Sequence, residues 1–348
     1  MGKRVLITGL GTFWGGRVAQ ALEAAPEVDV IVGLDRFEPT VRLERTEYVR
    51  SDESYSILAR IVKAARIDTI VHTFLVVDST QMASRTMHEI NVIGTMNLFA
   101  AASAPESTVR NVVVKSATLV YGSDQRDPTW FSEESRRARP PKSMVEKSLL
   151  EVEAYVRDFA VDNPHVSLAL LRFSNVLGPD ITTPLAKLLQ LPLVPSVLGF
   201  DPRVQFVHET DVVRAILFAL ETQLQGIYNV AGDGLLPWSE VAAICAKRTF
   251  PLPPAGISLL SRSLSRFGVI DLPPELLDLL RHGRGVDNRR LKTAGFDYRY
   301  TSAGAVADFV EALRIKSMLS AGRDTYQYER DVEQFFRHSP AVIRDDDH

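Results

Sequence analysis

One cysteine, Cys245, leaves no possibility of an intramolecular disulfide, and no cluster of Cys and His has the spacing of a metal site. A reducing compartment and no bound metal are expected. No window approaches the roughly 18 consecutive apolar residues of a membrane span, and the apolar run within Met1 to Leu10 is shorter than a signal-peptide core. A cytoplasmic chain that does not cross a membrane is therefore expected. Charge of one sign is missing too: 40 Lys+Arg against 43 Asp+Glu give a net charge of −3, with the two signs interspersed. No basic stripe for a nucleic-acid backbone emerges, and nucleic acid is not expected as a partner. The densest basic cluster, Arg136, Arg137 and Arg139, adjoins Glu133 and Glu134 and reads as a solvated loop. Low-complexity tracts and internal repeats are absent. What remains is an ordinary globular composition, 45% hydrophobic over 348 residues, enough for a nucleotide-sized domain plus a smaller one.

Short β-branched runs alternate with amphipathic stretches through the first half. Arg4–Thr8, Val28–Leu34, Thr69–Thr73, Asn111–Ser116 and Ser167–Arg172 read as buried parallel strands. Gly15–Ala25, Tyr55–Ala65, Thr80–Ala102 and Ser143–Val161 read as the helices between them. This alternation implies βαβ units, hence an α/β fold built on a Rossmann-type doubly wound parallel sheet with a smaller C-terminal lobe. Residues 1–175 are assigned to the sheet domain, with 204–232 returning to it. Residues 176–203 and 233–322 form the lobe, and 323–348 a tail. Prolines at 179, 184, 192, 195 and 202 mark the start of the lobe. Within the second half, Thr210–Glu221, Trp238–Arg248 and Ala303–Met318 look helical, while Pro251, Pro253 and Pro254 read as a linker before an apolar stretch, Ile257–Leu280.

The first strand runs into Thr8, Gly9, Leu10, Gly11, Thr12, Phe13, Trp14, Gly15 and then a helix. Between strand and helix such glycines let the backbone approach a pyrophosphate, which the helix N-terminus stabilises. An acidic residue is expected about 20 positions on, and Asp35 ends the second strand. A carboxylate there accepts hydrogen bonds from an unphosphorylated adenosine ribose and repels a 2′-phosphate, so NAD is the expected cofactor. Arg36 adjoins it as a solvated or adenine-stacking side chain. Asp52 is placed either to meet the adenine amino group or to cap the next helix.

On the following residues the chain resembles the extended short-chain dehydrogenase/reductases of the NAD-dependent epimerase/dehydratase family, over nearly its whole length. They are Thr8 and Gly9, Asp35, Val71 and His72, the NVxGT of Asn91 to Thr95, Val120 to Gly122, Lys147, the LRFSNVLGP of Leu171 to Pro179, the FVHETDV of Phe206 to Val212, and Gly226 to Gly232. Within the family it is similar to actinobacterial UDP-glucose 4-epimerase-like members with a lysine in a VVxKS strand, here Lys115. The resemblance implies a nucleotide sugar as substrate and a homodimer. It further implies that Asn91 steadies the helix and a water near the active strand, that Lys147 binds the nicotinamide ribose, and that Asn175, Arg203 and Arg284 bind substrate. The dimer would form through Thr80–Ala102, with Met87, Ile90, Val92, Met96 and Phe99, and through Ser143–Val161, with Val145, Leu149, Val152 and Tyr155.

The family pattern breaks where its chemistry lies. Its YxxxK tyrosine falls on Ser143, a far weaker acid than a phenol of pKa about 10. Its strand hydroxyl falls on Ala117, flanked by Ser116 and Thr118, which alternation turns to the other face unless a bulge intervenes. Thr12 stands where the phosphate loop carries a glycine, and Arg203 precedes His208 by five residues instead of four. Two functions follow. One is an enzyme with a substitute acid or base, Lys115 first, with Tyr121, Ser116, Thr118 or Glu134 as further candidates beside Lys147. The other is a non-catalytic, NAD-dependent binding or regulatory protein.

Overall fold

The computed structural model describes residues 2–80, 82–253 and 272–318. The stretch 257–280 lies partly, and the tail 323–348 wholly, outside the described residues. Strands β1 (Lys3–Thr8), β2 (Val28–Asp35), β3 (Thr46–Arg50), β4 (Thr69–His72), β5 (Asn111–Ala117) and β6 (Ser167–Phe173) are joined in one sheet by β11 (Gly226–Val230). The order across the sheet is β11-β6-β5-β4-β1-β2-β3, and every pairing is parallel. The chain thus starts at β1, winds outward to β3, then crosses back through β4, which is the doubly wound topology.

Parallel strands are buried on both faces, and β5 shows why they read as continuous apolar runs. Val112 and Val114 enter one core with α4 (Gly94–Ala102) and α5 (Met144–Asp162), through Leu98, Phe99, Leu149 and Val152. Val113 enters the opposite core with α1 (Phe13–Glu23) and α7 (Glu209–Glu221), through Val18, Leu22, Val212 and Ile216. On the first face α2 (Tyr55–Ala64) adds Leu58 and Val62.

A third core lies beyond the sheet, where Leu177, Leu188, Phe206, Trp238, Leu276 and Leu279 meet. It gathers α6 (Pro184–Gln190), α8 (Trp238–Ile244), α9 (Pro274–His282) and the helical residues 302–318. Three two-stranded pairs frame it: β7 (Asn175–Leu177) with β10 (Phe206–His208), β8 (Leu193–Val197) with β13 (Arg248–Leu252), and β9 (Arg203–Val204) with β12 (Leu236–Pro237).

Three local readings change. The helix expected over Thr80–Ala102 begins only at α3 (Ser84–His88), passes through a π turn at Glu89–Ile93, and resumes as α4. Helix α8 stops at Ile244, and the proline-bearing segment after it is strand β13 instead of a linker. Pro251 is tolerated because β13 pairs only with β8. Asp52 is not the cap of α2; Ser54 holds that position and Asp52 is exposed.

Candidate functional site

The loop between β1 and α1 is built as a phosphate cradle. Gly9 has φ +80°, and a Cβ on it would lie 2.6 Å from the Phe74 nitrogen. A Cβ on Gly15 would meet the Gly9 carbonyl oxygen at 2.1 Å, so only glycine lets α1 start this close to the strand. Thr12 needs no glycine conformation, since φ −72° and ψ 158° make it the N-cap of α1. Its hydroxyl accepts from the Gly15 N–H at 3.1 Å and donates to the Gly9 carbonyl at 2.6 Å. The threonine in a glycine's place therefore stiffens the loop. Buried Asp35 accepts from the Gly11 N–H at 2.9 Å and the Phe37 N–H at 3.0 Å, tying the end of β2 to the cradle. Arg36 is exposed. The narrow glycine approach, the open helix N-terminus and the carboxylate at the end of β2 fit a dinucleotide.

A cleft of about 390 Å³ opens beside this loop. Thr12, Phe13 and Trp14 line it with the segment Thr73–Asp78, the β5 end Lys115–Leu119, and Asn175. Lys115 is 5% exposed, and no hydrogen bond or ion pair among the described residues engages its ammonium. Burial lowers its pKa to about 8. His72, behind it on β4, is held neutral by burial and then by the Lys115 charge, which push it down to about 3. Its ring nitrogens lie 2.9 Å from the hydroxyls of Thr8 and Thr95, so it is a strut of the floor.

Ser116, one residue on, faces the other way. Its hydroxyl donates to Glu153 at 2.8 Å, within a buried network where Arg172 pairs with Glu153 at 2.5 Å and donates to the Tyr121 hydroxyl at 2.7 Å. The single O–H proton of Tyr121 is shared between Asn229 Oδ1 at 2.8 Å and the Ser132 carbonyl at 3.0 Å. Burial raises its pKa, the phenol is fully engaged, and the residue lies outside the cleft lining. Thr118 begins a 3₁₀ turn, Thr118–Tyr121, that breaks the strand alternation, and it lines the cleft.

Ser143 is the N-cap of α5, accepting from the Glu146 N–H at 3.3 Å. Lys147 lies on the solvent side of that helix, 55% exposed and 3.9 Å from Glu151, and is not part of the cleft lining. Glu134 is exposed and paired with Arg290. Arg203 is exposed and outside the lining, whereas Arg284 is within it. Asn175 donates to the Gln205 carbonyl at 2.8 Å at the cleft wall. Asn91, on the π turn, clamps Val76 through both its N–H and its carbonyl, each at 2.8 Å, and so fixes the opposite wall. The FVHETDV segment is structural: His208 caps α7, and Glu209 accepts from the Ile181 N–H at 2.8 Å, holding the wall that carries Ile181.

The sequence reading passed over Glu275, which enters the lining from α9. No local signal marks it, because an acidic residue in the first turn of an amphipathic helix is ordinary.

Together the fold and the cradle define a Rossmann-type dinucleotide-binding protein whose second lobe roofs a cleft beside the cofactor loop. Residues 5–231 match the model of the NAD-dependent epimerase/dehydratase family, and the chain belongs to that family, whose cofactor is NAD. Uncharacterized proteins of Mycobacterium tuberculosis and Mycobacterium bovis are 32% identical over 313 residues, 88% of this chain and 83% of theirs. Among solved structures, MoeE5 in complex with UDP-glucuronic acid and NAD superposes with TM-score 0.69 at 21% identity, over 90% of this chain and 99% of that one. The UDP-glucose 4-epimerase of Thermotoga maritima with UDP-glucose gives 0.67 at 16% identity, over 90% and 99%. DesIV, the dTDP-glucose 4,6-dehydratase of Streptomyces venezuelae, gives 0.67 at 22% identity, over 89% and 97%.

Proposed function

We propose that the chain is an NAD-dependent enzyme that acts on a nucleotide sugar, with Lys115 in the proton-transfer role that the family gives to tyrosine. The observation that carries this reading is the buried, unpartnered Lys115 ammonium facing the cleft at the end of β5, beside the cofactor loop. Burial brings its pKa to about 8, so a fraction is neutral near physiological pH and can accept a hydroxyl proton. NAD, when bound, supplies the hydride acceptor. Asp35 would hold its adenosine ribose, and the N–H groups of the Gly9–Gly15 loop its pyrophosphate. Asn175, on the far wall, is left for substrate phosphates.

The test is incubation of the NAD-loaded chain with UDP-glucose, UDP-galactose, UDP-glucuronic acid and dTDP-glucose, with products followed by NMR. Conversion of at least one sugar is expected. Lys115→Met should lower that turnover by about 10²-fold or more while NAD affinity stays unchanged. Conversion of none would favour the second reading, a non-catalytic NAD-dependent binding protein, to which the helix-capping role of Ser143 and the bare Ala117 already lend support.

We also propose a cytoplasmic homodimer. Helices α4 and α5 pack side by side, and of the apolar residues expected at the interface, Met87, Val92, Phe99, Val145, Leu149 and Val152 are buried in the core. Met96 and Tyr155 remain exposed, joined by Ile93 and Met144, and are the side chains a partner would cover.

A further inference from the structure

The cofactor loop and Lys115 leave the lobe-side wall of the cleft unexplained. Glu275 lies there, 8% exposed, in the first turn of α9. Neither carboxyl oxygen closes a well-aligned hydrogen bond, although the hydroxyl and N–H of Ser79 lie beside it and favour its charged form against the opposing effect of burial. Arg284 shares the wall, with its Nε also buried and unpartnered and one N–H donated to the Gly122 carbonyl at 3.2 Å. A buried carboxylate without well-aligned partners is unfavourable in the free protein, and a ligand that completes its hydrogen bonds removes the penalty.

Glu275 cannot easily turn away to water. On the same helix Leu276 and Leu279 are locked in the lobe core, and Asp278 is tied to Lys142 at 2.7 Å. Its position also selects which part of a substrate it meets. Ser79 lies in the segment that follows β4, and Arg284 reaches the Gly122 carbonyl just past the turn that follows β5, so both sit beyond the C-terminal ends of β4 and of the strand that carries Lys115. Asn175 follows β6, on the side of β5 away from β4, and lines the cleft with the segment 181–185, where the nucleotide is left to bind.

Building on the nucleotide-sugar reading above, we propose that Glu275 accepts hydrogen bonds from hydroxyls of the substrate's sugar, with Arg284 donating beside it. The pair selects a neutral hexose against a sugar that carries a carboxylate. Hydroxyls can satisfy an acceptor and a donor together, whereas a carboxylate satisfies only Arg284 and is repelled by Glu275.

The experiment is calorimetric titration of the full-length, NAD-loaded chain with UDP, UDP-glucose and UDP-glucuronic acid, with dTDP and dTDP-glucose run in parallel. The native protein should bind UDP-glucose about tenfold more tightly than UDP-glucuronic acid, and Glu275→Ala should weaken UDP-glucose by about tenfold while UDP changes little. Glu275→Gln, which keeps an acceptor and removes the charge, should recover part of the UDP-glucose affinity and lose the discrimination against UDP-glucuronic acid. The unliganded Glu275→Gln protein should melt no lower than native, since it sheds a buried carboxyl without well-aligned partners. Unchanged UDP-glucose affinity in Glu275→Ala, equal weakening of UDP and UDP-glucose, or native preference for UDP-glucuronic acid would each overturn the role of Glu275 alone. Failure of every nucleotide to bind the native protein would overturn the nucleotide-sugar reading and this inference with it.

Discussion

Lys115 shares its strand face with Ala117, because side chains two apart on a strand point the same way. That parity puts an ammonium on the strand face, two residues before the position to which the resemblance assigns the family's hydroxyl. Its folded pKa, lowered by burial from 10.5 to about 8, has a consequence for stability. Between those two values the unfolded chain binds more protons than the folded one, so stability rises with pH across this window. Below about pH 8 the penalty is complete, on the order of 3 kcal/mol. Unliganded Lys115→Met should therefore resist urea better than native at pH 7, with the gap closing as pH rises toward 10.5; a variant less stable at pH 7 would contradict the unpaired burial. If Lys115 is the base, turnover should climb through about pH 8 and level off above it. Asp35 offers a second residue-scale test. Asp35→Ala removes both the ribose acceptor and the charge that repels a 2′-phosphate, so NAD should bind more weakly and its advantage over NADP should shrink. Calorimetry with both cofactors checks this, and an unchanged ratio would remove Asp35 from cofactor selection.

At the level of single elements, α5 shows how one residue can leave catalysis and still matter. Ser143 caps the helix, and Glu146 three residues later accepts from the Lys142 N–H at 2.7 Å, which reinforces the same turn. Ser143→Ala should cost about 1 kcal/mol of stability with turnover unchanged, and Ser143→Asp should restore most of it. A large fall in turnover with folding and NAD affinity intact would show that Ser143 takes part in the chemistry. Ser143→Tyr should leave NAD binding in place but forfeit the cap. The existence of α5 and of β1, β2, β4, β5 and β6 was legible because their apolar patterns are regular, whereas β3 and β11 were not assigned as strands. The π turn was not, since an inserted residue leaves no trace in a pattern that already drifts, and it decides where Asn91 points. Strand β13 was hidden by Pro251, which an edge strand accommodates.

For the molecule as a whole, the test is association. Light scattering at micromolar concentration should give the mass of two chains, and Met96→Glu combined with Tyr155→Glu should halve it without unfolding the monomer, because both side chains are exposed. A native monomer would exclude the dimer. At the cleft the lobe's Arg284 donates to the Gly122 carbonyl of the sheet domain at 3.2 Å. Within the lobe Arg284 is positioned by tight packing: a Cβ on Gly283 would come within 2.3 Å of the Arg203 carbonyl oxygen, and its φ of +70° suits glycine. Substitution of Gly283 would thus displace Arg284, the next residue, from the cleft wall.

The sequence by itself determined the doubly wound sheet, the glycine cradle and the acidic end of β2. Each depends on neighbours within some twenty residues, where periodicity and turn chemistry act. On the family resemblance it also put Ser143 at the position of the YxxxK tyrosine. Tertiary structure decided which side chains share the cleft. Lys147, one turn from the expected tyrosine position, faces solvent; Tyr121 is absorbed by Arg172 and Asn229; and Glu275 arrives from 160 positions beyond Lys115. Such encounters follow from how a lobe packs on a sheet, and no local pattern of residues encodes where two distant surfaces will meet.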